Sequence, residues 1–128
     1  MIKIHKKYKS SVIASKKVKR HEVSRWGIFN LNMINKKNFL INDVIEKPTF
    51  LDAPSTYAVI GRYILPKKIF KILKYQRPGQ NNEIHITDAI RKLIDEKEKF
   101  FGHVFAGKYL DCGTLSGYVN SSKEISKI

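Results

Sequence analysis

Tyr57-Ala58-Val59-Ile60-Gly61-Arg62-Tyr63-Ile64-Leu65 is a nearly continuous apolar run, followed at once by Pro66. A run of this kind reads as a strand in a sheet covered on both faces. Proline suits the first turn of a helix. Ile69, Phe70, Ile72 and Leu73 then recur at helical spacing and form an apolar face, which Pro78-Gly79 ends. Inside the strand, Gly61 marks either a bulge or a place where a ligand or another backbone comes close.

Working outward, Thr49 to Thr56 is a loop broken by Pro48, Pro54 and Ser55. Before it, residues 28–48 suggest a hairpin, with asparagines around a turn at Lys36-Lys37. Val12, Ile13 and Ala14 read as a short buried strand, and residues 21–27 as a loop. Downstream, Thr87 is placed to cap a helix, with Asp88 in its first turn and Ala89, Ile90, Leu93 and Ile94 on its inner face. Phe100, Phe101, Val104 and Phe105 make another strand, and Thr114 caps a last, weakly amphipathic helix. Strands are expected near 11–15, 28–31, 39–46, 57–65 and 100–106, and helices near 67–75, 87–97 and 114–125. Their alternation points to an α/β or α+β fold.

The sequence has 128 residues, 42% of them hydrophobic and 28% charged, enough for one domain with a modest core. No apolar run approaches the roughly 20 residues of a membrane span, so no membrane partner is expected. The basic start is not followed by the apolar stretch of a secretory signal. Cys112 is the single cysteine, which excludes a disulfide within the chain and accords with a cytoplasmic setting. The formal net charge is +14. By itself this points to a polyanion partner. The excess is nearly all lysine, however, and no zinc-finger, RNA-binding or basic-zipper pattern accompanies it, so a solvated surface is preferred over a nucleic-acid reader. His5, His21, His85 and His103 show no metal-ligand spacing with Cys112, and no serine sits in a nucleophile elbow.

The chemistry gathers at Asp43-Val44-Ile45-Glu46-Lys47-Pro48. Pro48 lacks a backbone N–H and restricts the residue before it, so Lys47 is expected to be extended and the strand to stop there. In open α/β sheets, ligands bind at the carboxyl ends of strands. Glu46 can accept hydrogen bonds from sugar hydroxyls, and Lys47 can place a point charge on a phosphate. A plain charged turn is the competing reading.

Four further blocks surround this one: Glu22-Val23-Ser24-Arg25-Trp26-Gly27-Ile28, Ala58 to Leu65, Asn82 to Ile90, and Asp111-Cys112-Gly113-Thr114 before Gly117-Tyr118. In this order and spacing, the sequence resembles the C-terminal half of the bacterial UTP–glucose-1-phosphate uridylyltransferases, which belong to the sugar-nucleotidyltransferase family. The resemblance runs from near Ser11 almost to the C-terminus. It implies a truncated mixed sheet with flanking helices, the sugar-binding part of a Rossmann-like nucleotidyltransferase fold, as one partial domain over residues 1–128. It also implies that residues 1–9 form the tail of a helix. Glu46 and the backbone around Gly27 and Gly61 would hold glucose hydroxyls, and Lys47 would contact the sugar phosphate. Asp111 would supply one carboxylate to Mg²⁺, a cation suited to one or two carboxylates plus substrate phosphates. Glucose 1-phosphate and UDP-glucose are the implied ligands, and a separate N-terminal half or a second copy the implied partner.

The sequence departs from the family in three places. Trp26 stands where tyrosine is usual, and an indole lacks the hydroxyl. Thr114-Leu115-Ser116 replaces an Asp-Lys-Leu run. No Gly-x-Gly occurs, so the loop that cradles nucleotide phosphates in the family is absent from this sequence, as is the other metal carboxylate. No complete catalytic set is therefore expected in this chain alone. A non-catalytic split-gene remnant and a basic nucleic-acid-binding module are the alternatives.

Overall fold

The computed structural model describes the backbone of residues 1–128 and the side chains of all of them except Gln80. The strands are β1 (Ser11–Lys17), β2 (Gly27–Met33), β3 (Asn38–Glu46), β4 (Tyr57–Ile64) and β5 (Phe100–Val104). The helices are α1 (Ile2–Tyr8), α2 (Ile69–Tyr75), α3 (Ile86–Asp95) and α4 (Leu115–Ile125). All expected elements are present, and within residues 1–9, for which the resemblance implied helix, Ile2–Tyr8 is helical. Among the described residues, no helix is long and apolar enough to cross a membrane.

The architecture is a single mixed sheet with flanking helices. β1 lies antiparallel to β4 and parallel to β5. β2 and β3 form the expected hairpin, and β3 runs antiparallel to β5. The order β1-β4-β2-β3-β5 thus returns to β1. One pair, Ile28 with Ala58, closes the ring between β2 and β4. Past that pair, toward Gly27 and Val59, the two strands are no longer paired.

The core explains why these residues form these strands. Ile13, Phe29, Phe39, Ile41, Val44, Val59 and Phe100 from the sheet pack with Ile69 of α2 and Ala89, Ile90 and Leu93 of α3. Phe39 stands between Phe29 and Tyr57, each ring centroid 5.5 Å away. α1 is fastened by Tyr8, stacked on Phe101 at 4.4 Å.

Two bulges aim side chains at the site. In the β2–β3 ladder Asn30 faces Asp43 and Leu31 faces Ile41, so Asn42 is an extra residue. An inserted residue reverses the alternation of faces. Phe39 and Ile41 are buried before it and Val44 after it, and Glu46 therefore shares the inner face with Val44. In the β1–β4 ladder the register jumps from Ile13–Tyr63 to Ser15–Val59. Gly61 sits in that bulge at φ 68, in the left-handed region that glycine alone enters without strain.

Several local expectations are corrected. Phe70 is 73% exposed, because the seven-residue α2 turns only Ile69, Ile72 and Leu73 inward and Phe70 falls on the outer arc. Thr87 is not the cap of α3; His85 holds that position, and Thr87 is buried in the first turn. Residues 20–25 form a 3₁₀ helix rather than an open loop. Phe105 lies beyond β5 and is 45% exposed. Lys47 is not extended but left-handed, at φ 45. Its N–H donates to the Trp26 carbonyl at 2.9 Å, and this bond turns the chain into buried Pro48.

Candidate functional site

The site lies where β2 and β4 part. A cleft of about 250 Å³ is lined by Gly27, Glu46, Val59, Ile60 and Gly61, with Trp26, Tyr63, His85, Thr87 and Tyr109 around its rim. Three residues singled out in the sequence, Gly27, Glu46 and Gly61, are thus brought together. Glu46 is the last residue of β3 and faces Gly27, the first of β2. Its Oε2 accepts a hydrogen bond from the Thr87 hydroxyl at 2.8 Å, which anchors the carboxylate to α3. A methyl group at Gly27 would lie 3.0 Å from Thr87 Cγ2 and 3.1 Å from Glu46 Oε2. Glycine there keeps the Glu46–Thr87 pair and the strand backbone in close contact.

Tyr63 completes this polar corner. Burial first, then the charges of Glu46 and Tyr109, push its hydroxyl above the ordinary value of 10.0. It is therefore a neutral hydrogen-bond donor and acceptor at ordinary pH. Tyr109 is also pushed up, by burial and by Asp111, with Arg62 acting the other way. A carboxylate, a phenol and strand backbone set among Val59, Ile60 and Ile86 form the mixed surface that a polyol presents and needs: hydroxyls along the rim, apolar faces between.

Lys47 and Asp111 stand apart from this cleft. Lys47 is outside its lining, with Nζ 3.9 Å from Glu83 Oε2. Asp111 lines a neighbouring pocket of about 360 Å³ that shares Arg25, Trp26 and Tyr109 with the cleft. Its Oδ2 accepts from Arg25 at 3.4 Å and its Oδ1 from the Gly113 N–H at 3.0 Å. Thr114 caps α4 as expected, accepting from the Gly117 N–H at 3.0 Å. A larger groove, about 1200 Å³, runs from Gly61 and Tyr63 of β4 past Ile64, Phe105 and Leu110, but no carboxylate lines it.

As a metal site, the donor set is incomplete. Among the described residues no group of three His, Cys, Asp or Glu could hold an ion. Asp111, the carboxylate that the resemblance implied for Mg²⁺, is engaged by Arg25 and the Gly113 N–H, and a cation there would need its remaining ligands from phosphate oxygens and a carboxylate from elsewhere. Bound there, the cation would supply neutralisation of phosphate charge.

Thr87, Tyr63 and Arg25 were not singled out for the site from sequence. Thr87 reads as a helix cap and Tyr63 as one more apolar strand residue. Only the neighbourhood of Glu46, set by the bulge at Asn42, reveals them.

This geometry has close counterparts. Over 122 residues the sequence is 35% identical to the UTP–glucose-1-phosphate uridylyltransferase of Pseudomonas aeruginosa, covering 95% of this chain and 43% of that protein. A UDP-glucose pyrophosphorylase complexed with UDP-glucose superposes with a TM-score of 0.91 at 41% identity, over 98% of this chain and 47% of the other. The UTP-bound UGPase of Acinetobacter baumannii gives a TM-score of 0.81 at 28% identity, over 98% and 42%. The chain therefore spans less than half the length of these relatives. Since the nucleotidyl transferase model matches it from residue 1 to residue 128, the chain belongs to the nucleotidyl transferase family.

Proposed function

We propose that residues 1–128 form the C-terminal, sugar-phosphate-binding part of a UTP–glucose-1-phosphate uridylyltransferase. The convergence of Glu46, pinned by Thr87, with the backbone of Gly27 and Gly61 in one cleft carries this reading. The names of the relatives and the likeness to a UDP-glucose complex support it. In the reaction, a phosphate oxygen of glucose 1-phosphate attacks the α-phosphorus of UTP, pyrophosphate leaves, and UDP-glucose forms. Glu46 and the two glycine backbones hold the glucose hydroxyls. Lys47, next to Glu46 in the chain but outside the cleft lining, would reach a phosphate only by releasing Glu83. Asp111 would contribute one carboxylate to a Mg²⁺ site. UTP as a substrate and the lone thiol of Cys112 accord with a cytoplasmic setting.

The nucleotide side needs a phosphate cradle that this sequence lacks, so it has to come from another segment or another chain. Phosphoryl-type transfer rests on positioning and charge neutralisation. Positioning is worth about 7–11 kcal/mol of barrier, and a bound metal several more. Residues 1–128 alone are therefore expected to release no pyrophosphate from UTP and glucose 1-phosphate. Addition of a nucleotide-binding half from a relative should restore turnover. By calorimetry, glucose 1-phosphate should bind the chain itself, about tenfold more weakly after Glu46→Gln. UDP-glucose formation by the chain alone, abolished by Asp111→Ala, would refute the division of labour. Unchanged glucose 1-phosphate affinity in Glu46→Gln would refute the sugar site.

A further inference from the structure

The cleft that would hold the sugar has an electrostatic gap. Lys47 faces Glu83 outside the lining, and Arg25, which lines it, is paired with Asp111. Besides Lys47, which has to leave Glu83 first, a sugar phosphate seated against Glu46 has use for a cation that is not already neutralised. Lys16 is placed to be that cation. It is half-buried near the end of β1 and lines the pocket that adjoins the cleft. Its ammonium lies 4.4 Å from the Trp26 ring centroid and 4.3 Å from that of Tyr109. The two rings meet edge to face at 5.4 Å, and both line the cleft as well. None of the ion pairs among the described residues includes Lys16.

Aromatic faces attract an ammonium through their quadrupoles but offer it no oxygen acceptor. Its three N–H donors therefore remain available to an anion. The rings also hold the flexible stem in place before a ligand arrives, which lessens the rotamer entropy lost on binding. The two carboxylates in the same pocket are engaged elsewhere: Asp111 with Arg25 and the Gly113 N–H, Glu22 with the Lys19 N–H. We propose that Lys16 is a phosphate-binding residue of this site, taking the phosphate or diphosphate of the ligand where the two pockets meet. This assignment rests on the sugar-phosphate reading above. It gives Trp26 a role that needs no hydroxyl, because the indole is the strongest cation–π partner among aromatic side chains.

The probe is inorganic pyrophosphate, followed by the fluorescence of Trp26, the only tryptophan in the sequence, and independently by calorimetry. The chain should bind it saturably. Lys16→Met should weaken binding by about tenfold or more, as for loss of one charge-assisted contact. Lys16→Arg, which keeps the charge and the ring contacts, should stay within about threefold. Exposed Lys17, next on the same strand, serves as control, and Lys17→Met should leave affinity unchanged. Without any variant, pyrophosphate should shift the side-chain NMR resonances of Lys16 and not those of Lys17. No saturable binding, a folded Lys16→Met that binds like wild type, or a shift at Lys17 alone would each overturn the assignment. If instead Glu46→Gln binds glucose 1-phosphate like wild type while Lys16→Met loses pyrophosphate, the sugar reading falls and Lys16 stands as an anion site.

Discussion

At Gly102 the core leaves no room for a methyl group. A Cβ there would fall 1.9 Å from Cε2 of Phe39, whose ring is fully buried between two other rings. Gly102→Ala must displace the ring or the strand, and overpacking of this kind destabilises by about 1–3 kcal/mol or more. Urea unfolding should show the loss. Phe39→Leu added to Gly102→Ala should recover part of it, as a coupling between touching residues requires. An unchanged midpoint in Gly102→Ala would show that the contact is not made. Lys47 poses the opposite case, a side chain where glycine would be easier. A left-handed backbone costs a residue with a Cβ roughly 1–2 kcal/mol. Lys47→Gly should therefore stabilise by up to about 1 kcal/mol, part of the gain being offset by the freer unfolded chain. Lys47→Ala keeps the Cβ and should not stabilise. Equal midpoints for the two variants would count against strain at this position.

The elements differ in how firmly they are held. Five consecutive residues of β1, Ser11 to Ser15, are buried, whereas α4 buries only Ser121 and leaves Leu115 at 82% and Ile125 at 56% exposure. α4 is tied on by the Thr114 cap, the Ser121 hydroxyl on the Asp111 carbonyl, and the Lys108–Glu124 ion pair. Regions with few buried apolar contacts open at low free energy. Hydrogen exchange should find α4 amides exchanging first and those of β1 last. Protection of α4 equal to β1 would require a cover for its apolar side. The same contrast explains what could be read from sequence. Strands and helices were legible because burial on one or both faces leaves a period in the chain, as from Tyr57 to Leu73. Side-chain direction was not. Glu46 faces Thr87 only because Asn42 is inserted in β3, and Lys47 turns away only because its N–H is claimed by Trp26. Both depend on partners far along the chain, which local spacing does not encode. Gly27, Glu46 and Gly61, singled out from sequence, share one cleft with Tyr63 and Thr87, which looked like structure.

For the molecule as a whole, the titrating groups bound a window of stability. Burial, with the N-terminal ammonium and Lys37 nearby, lowers the proton affinity of His103 below its ordinary 6.5. As pH falls, the unfolded chain takes up this proton first, so the contribution is complete above 6.5 and is lost below it. Tyr63 and Tyr109 are raised above 10.0, so the folded chain keeps their protons longer, and stability declines as pH rises past that value. Urea midpoints against pH should fall on both sides, and His103→Gln should flatten the shoulder just below 6.5. A shoulder that survives the substitution would assign it to other groups. Strand order has a consequence of a different kind. β1 pairs only with β4 and β5, both later in the sequence, and Ser11 waits for Phe100. A chain emerging from the ribosome thus presents the Ser11–Ser15 segment long before either partner exists. Lys6, Lys7 and Lys9 before it and Lys16, Lys17, Lys19 and Arg20 after it form a basic bracket around this sticky stretch. Like charges at the flanks of an apolar strand keep nascent copies from pairing with one another. Replacing Lys6, Lys7, Lys9 and Lys17 with serine should leave the folded chain within about 0.5 kcal/mol of its stability, yet raise the aggregated fraction during cell-free synthesis. If aggregation stays level, those lysines serve the finished surface and not the birth of the chain.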